Sequence, residues 1–124
     1  MSIEIESAAT VFTVQDVEKS LAHYRDVVGF SVEFKYGDPP MYAGVVERGR
    51  VLIHLHAAAH AKAQPGQGVI YIFVQGVDEL YAEVQSKGAR IIKPPRDYPY
   101  EMRDFDLHDL DGNRLVFGQS TRKN

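Results

Sequence analysis

The chain has 124 residues, a length for one domain with an ordinary core, of which 44% are apolar and 25% charged, for a net charge of −3. That balance leaves no basic field to hold nucleic acid or an anionic membrane surface, and the absence of cysteine removes disulfides, thiolate catalysis and zinc–thiolate sites. No apolar run approaches the ~20 residues of a membrane span, and Met1-Ser-Ile-Glu-Ile-Glu6 is not a signal peptide, so a cytoplasmic protein is expected.

Residues 8–14 read as a first strand, and Asp16 stands where a helix N-cap belongs. Val17, Leu21, Tyr24 and Val28 then recur at helical spacing, with Gly29 as the stop. Phe30-Ser-Val-Glu-Phe-Lys-Tyr36 alternates as a half-exposed strand until Gly37-Asp-Pro-Pro40 breaks it. Two further strands, residues 41–46 and 51–56, flank an Arg48-Gly49 turn, and residues 57–68 form a connecting loop. Val69-Ile-Tyr-Ile-Phe-Val74 is apolar at every position, which predicts a central strand covered on both faces. Val77, Leu80, Tyr81 and Val84 mark a second helix closed at Gly88. Residues 90–92 read as a short strand and residues 93–100, with three prolines, as a long loop. Phe105-Asp-Leu107 and Leu115-Val-Phe117 flank Asp111-Gly112-Asn113, a tight-turn signal, and make a final hairpin.

These elements repeat. Val14-Gln-Asp-Val17 and Val74-Gln-Gly-Val77 share Val-Gln-x-Val at an offset of 60, and each block runs through a helix to a glycine and then to strands. The expected architecture is α+β: two tandem βαβββ units, residues 7–57 and 69–119, joined by a linker over 58–68. Each helix covers one face of its strands, leaving the opposite faces to form a cleft.

Two stretches resemble a known family. Val14-Gln-Asp-Val-Glu-Lys-Ser-Leu-Ala-His-Tyr-Arg-Asp-Val-Val-Gly-Phe30 is similar to a pattern of the vicinal oxygen chelate superfamily, which groups glyoxalase I, bleomycin-resistance and fosfomycin-resistance proteins and extradiol dioxygenases. His23 takes the place of its usual aromatic. Tyr100 to Phe117, with Asp109-Leu-Asp-Gly-Asn113, is similar to the second pattern, with Leu110 for a proline, Tyr100-Glu101 for Trp-Gly and Val116 for a glutamate. The resemblance implies the glyoxalase/bleomycin-resistance fold with a curved-sheet cleft. It also implies that metal-using members would place ligands at Ala9, His54, Val69 and Val116. Catalysis by a divalent metal needs about three N/O ligands, and here only His54 can donate. No metal and no cofactor are therefore expected.

By strand parity Leu52, His54 and His56 share the cleft face, and imidazole is the side chain that titrates near neutrality, so His54 and His56 are the candidate catalytic residues. Tyr71 and Phe73, with Met102, Asp106 and Arg114 from the last hairpin, complete the candidate ligand-binding set. Asp106 and Arg114 are left either to pair with each other or to orient a polar ligand. The resemblance implies a bleomycin-resistance-type protein that sequesters a small aromatic or drug-like molecule, as in antibiotic resistance. The rival is a lyase, isomerase or dioxygenase of the same superfamily, metal-dependent or using a cleft histidine as base. A homodimer is expected, with clefts completed by both chains, and no nucleic-acid or membrane partner.

Overall fold

The computed structural model describes residues 2–122. Its first half runs β1 (Thr10–Val14), α1 (Val17–His23), β2 (Ser31–Tyr36), β3 (Tyr42–Glu47) and β4 (Val51–Ala57). The second half repeats the order as β5 (Val69–Phe73), α2 (Val77–Ser86), β6 (Arg90–Tyr98), β7 (Met102–His108) and β8 (Arg114–Ser120). Each half closes its own four-stranded sheet, β1-β4-β3-β2 and β5-β8-β7-β6. In both, the first strand pairs parallel to the last and the other pairings are antiparallel, so the internal repeat of the sequence is a repeat of topology. The fold is α+β. Among the described residues no helix is long and apolar enough to cross a membrane.

Local chemistry sets the helix ends. Asp16 Oδ1 accepts the backbone N–H of Lys19 at 3.0 Å, the expected N-cap. The helix then widens into a π turn, Tyr24–Val28, and the Tyr24 carbonyl accepts both Gly29 N–H and Phe30 N–H at 2.9 Å. Gly29, at φ 93°, closes it in the left-handed conformation that glycine adopts without penalty. Helix α2 starts with no side-chain cap of its own; Gln119 Oε1 reaches over from β8 and accepts the N–H groups of Gly76 and Val77 at 2.8 and 2.9 Å.

One hydrophobic core joins the halves, with Phe12, Leu21, Ile53 and Leu55 from the first meeting Ile72, Val84, Phe105 and Leu115 from the second. The turn from Asp109 to Asn113 locks that junction. Asp109 Oδ1 accepts the N–H groups of Asp111 and Asn113, and its Oδ2 accepts Tyr24 Oη at 2.9 Å. Asn113 donates from Nδ2 to the Thr13 carbonyl at 3.1 Å and accepts Gly68 N–H at 2.9 Å. It therefore ties the end of β1 to the entry of β5, and Asp109 and Asn113 are fully buried. The Asp-x-Asp-Gly-Asn motif is a structural clasp here, each buried polar atom satisfied by a specific backbone or side-chain partner.

Two expectations need correction. β5 is an edge strand, not a central one: Ile72 is buried, but Val69, Tyr71 and Phe73 stand exposed on the other face. The all-apolar run carries one core face and one open face. β6 extends over nine residues through Pro94 and Pro95, where a loop was expected. Proline is tolerated because β6 is the other edge of its sheet, and its register against β7 shifts between Ile91 and Lys93 and again before Arg96.

Candidate functional site

On the first sheet, Ile53 and Leu55 point into the core, which leaves Leu52, His54 and His56 on the open face. Cross-strand pairing sets Gly44 opposite His54 and Tyr42 opposite His56, and Phe34 of β2 opposite Gly44. Gly44 has no side chain because the Phe34 ring lies over it. The result is an aromatic cluster. Phe34 stacks on Tyr42 at 6.2 Å between centroids, His54 stands edge-on to both at 5.2 and 5.3 Å, and His56 packs against Tyr42 at 5.1 Å. Tyr42 Oη lies 2.9 Å from His54 Nδ1. Either partner can donate in that contact, according to the imidazole tautomer. His56 has no hydrogen-bond partner among the described residues.

The open face of the second sheet is polar at its centre. Asp104 and Asp106 of β7 are almost completely buried. Asp104 accepts Tyr71 Oη at 2.9 Å, Tyr100 Oη at 2.8 Å and Lys93 Nζ at 2.7 Å. Lys93 also donates to Tyr98 Oη at 2.9 Å. Burial opposes the Asp104 charge, but those three donors outweigh it and hold its carboxyl below the usual carboxylate range. Burial likewise opposes the Lys93 charge, yet its bonds to Asp104 and Tyr98 and the Asp106 charge raise its pKa. For Tyr71, burial and the bond to Asp104 both raise the pKa, so it stays a neutral phenol. The Tyr71 ring crosses Gly118, where any side chain would collide with it. Arg114 Nε donates to Asp106 Oδ2 at 2.5 Å, so these two residues do pair with each other.

An opening of about 530 Å³ runs along the free edge of β5 and is lined by Ala8 to Thr10, Arg50 to Leu52 and Ile70 to Phe73. The expected site residues thus fall into three groups. Leu52, Tyr71 and Phe73 line this cleft; His54 and His56 lie in the aromatic cluster; Asp106 and Arg114 belong to the ionic network. No hydrogen bond or aromatic contact joins the second group to the third among the described residues. Met102, half-buried at the far end of β7, pairs across the strands with Ser120 and with Tyr98, the phenol bonded to Lys93.

Sequence reasoning missed Phe34, Tyr42, Lys93, Asp104 and Tyr100. Tyr42 was within reach, since parity with Gly44 puts it on the histidine face. Phe34 was not, because a register shift between Val32 and Phe34 resets the alternation in β2. Lys93 and Tyr100 lay in a segment read as loop.

The four positions at which metal-using relatives would carry ligands do not suit a metal. Val11 stands beside His54 in the β1–β4 register, and Ala9, Val69 and Val116 have no donor atom. Among the described residues, no three His, Asp or Glu side chains converge as a metal site requires.

Known proteins share this fold. Among solved structures, TioX from Micromonospora sp. ML1 superposes with a TM-score of 0.82 at 17% identity, covering 93% of this chain and 98% of that one. TnmS3, an antibiotic binding protein from Streptomyces sp. CB03234, gives 0.81 at 24% identity over 97% and 98% of the two chains. A superfamily member from Sphaerobacter thermophilus gives 0.81 at 25% over 94% and 98%. One curated protein, histidinol-phosphate aminotransferase 2 of Ralstonia nicotianae, is 35% identical over 108 residues, 82% of this chain; the chain spans only 26% of that protein's length. The family model for the Glyoxalase/Bleomycin resistance protein/Dioxygenase superfamily matches residues 7–117, and the chain belongs to that superfamily.

Proposed function

We propose that this chain binds a small aromatic or drug-like molecule without a metal, sequestering it rather than transforming it. The observation that carries the reading is Phe73, 78% exposed beside Tyr71 on a strand whose opposite face is core. Large aromatics left open on a well-packed sheet, beside a cleft of about 530 Å³, are what a flat ligand needs. His54 and the Tyr42–Phe34 stack supply a second aromatic surface. The fold neighbour TnmS3 is described as antibiotic binding, which sets the class of compound to test first.

A single four-stranded face does not enclose a ligand, so the reading includes a homodimer in which a second copy closes each cleft. A thermal-shift screen of planar aromatic natural products tests the binding. A ligand at 100 times its Kd stabilises by about 2.7 kcal/mol, a shift easily read. No compound raising the melting temperature would overturn the proposal, and light scattering that gives a 13.9 kDa species at micromolar concentration would remove the dimer. The alternative, a metal-independent lyase or isomerase, rests on His56, whose ring nitrogens are unengaged. Turnover of a bound compound, abolished in His56→Gln, would favour it.

A further inference from the structure

The open face of the second sheet differs in charge from the chain that carries it. The chain is −3 overall. On this face Lys93, Arg96 and Arg114 stand against Asp104 and Asp106 alone, with Arg96 lying over the Tyr98 ring at 5.7 Å. Both carboxylates are buried and already paired, so what the face turns outward is cationic. Arg114 is the best placed of the three cations. Its Nε is held by Asp106, its side chain is half exposed, and among the described residues neither Nη group has a partner. A guanidinium anchored along one edge by a buried carboxylate offers its other edge as a planar two-donor fork.

The apolar surface beside it is aligned. Val69 pairs with Arg114, and Tyr71 pairs with Val116, two residues further along each strand, or about 7 Å. Arg114 reaches along its strand to Asp106, the cross-strand partner of Val116, which brings its guanidinium toward the row that holds Tyr71. The Tyr71 and Tyr100 hydroxyls both donate to Asp104, so they add no donor for an anion. Arg114 is thus the anion donor next to the aromatic surface.

We infer that this face recognises an aromatic acid: a flat ring on Val69 and Tyr71, both exposed, with a carboxylate or other anionic oxygen on the outer edge of Arg114. Asp106 is the positioning residue, fixing the guanidinium without touching the ligand. The inference rests on the aromatic-ligand reading above and adds the charge of the ligand.

Naphthoate and naphthamide, with the same ring and different charge, are the probes, titrated by calorimetry. The wild type should bind the acid about tenfold more tightly than the amide, and that margin should shrink in about 0.5 M NaCl. Arg114→Gln should abolish the margin and leave amide affinity unchanged. Because this variant leaves the buried Asp106 carboxylate with Lys93 Nζ at 3.4 Å as its remaining ion-pair partner, the double variant Arg114→Gln/Asp106→Asn, which removes both charges, should show the same loss. Asp106→Asn alone should reduce the margin for the acid and not the affinity for the amide. Equal binding of acid and amide by the wild type would overturn the charge assignment and keep the aromatic-ligand reading. No saturable binding of either up to about 5 mM, a free energy weaker than about 3 kcal/mol, would overturn both. Probe affinity that falls as protein concentration rises would mean that a second copy covers this face, and would also overturn the assignment.

Discussion

Shortening Phe73 to alanine separates a ligand-facing aromatic from a core one. Phe73 is 78% exposed and its neighbour Ile72 is 6% exposed, on opposite faces of the same strand. Fully burying a phenylalanine is worth about 1.5–3 kcal/mol, so the fifth of it that is covered supplies about 0.5 kcal/mol. Truncating a buried isoleucine costs about 2–5 kcal/mol, because a cavity is left as well as lost transfer energy. At about 4 °C per kcal/mol, Phe73→Ala should melt within about 2 °C of the wild type and Ile72→Ala at least about 8 °C lower. Urea unfolding followed by circular dichroism reads both, with equal m-values confirming that the native state is unchanged. Calorimetric titration with the best aromatic hit should then show the reverse order: Phe73→Ala weakened by about tenfold through lost stacking area, Ile72→Ala unaltered while folded. Equal and large stability losses for the two variants, with unchanged affinity in Phe73→Ala, would refute the reasoning.

Three further outcomes follow from specific contacts. Gly118→Ala pushes against the far end of Tyr71 rather than backbone, so it should cost less than about 1 kcal/mol in a urea melt but displace Tyr71 from Asp104 and weaken aromatic binding. Asn113→Ala strands Gly68 N–H and the Thr13 carbonyl at the clasp between the halves and should cost about 2–6 kcal/mol, at about 1–3 kcal/mol for each orphaned group. His23 is buried with its Nε2 unpartnered, and burial, reinforced by Arg90 and opposed by Asp109, holds its pKa below the ordinary 6.5. The unfolded chain therefore binds that proton more readily, so stability present above pH 6.5 should be lost as the pH falls below it, down to the lower folded value. Melts of His23→Phe across pH 5–7 should lack that part of the slope.

What could be read from the sequence was local and repeated. The Asp16 cap, the Gly29 stop and the Val-Gln-x-Val repeat each depend on residues close in the chain, and they gave the βαβββ order and the strand parity that puts Ile72 inward and Phe73 outward. What failed depended on which strand lies at an edge. An all-apolar run such as residues 69–74 looks the same whether a neighbouring strand and a second layer cover it or leave one face bare. The Pro94-Pro95 pair argues against a central strand, and only the position of β6 at the edge of its sheet makes it compatible with one. The Asp104 network was hidden for the same reason: Lys93 and Tyr100 become partners of Asp104 only once β6 is known to continue past the prolines.

The most direct test of the central claim is a two-dimensional ¹H–¹⁵N spectrum titrated with the aromatic compound that most raises the melting temperature. Saturable shifts should concentrate on Val69, Tyr71, Phe73 and their strand neighbours, with His54 and Tyr42 following if the second aromatic surface closes on the same ligand. The core residues Leu21 of α1 and Val84 of α2 should stay still. Shifts scattered over the surface and rising without saturation, or saturable shifts confined to α1 and α2, would contradict the account.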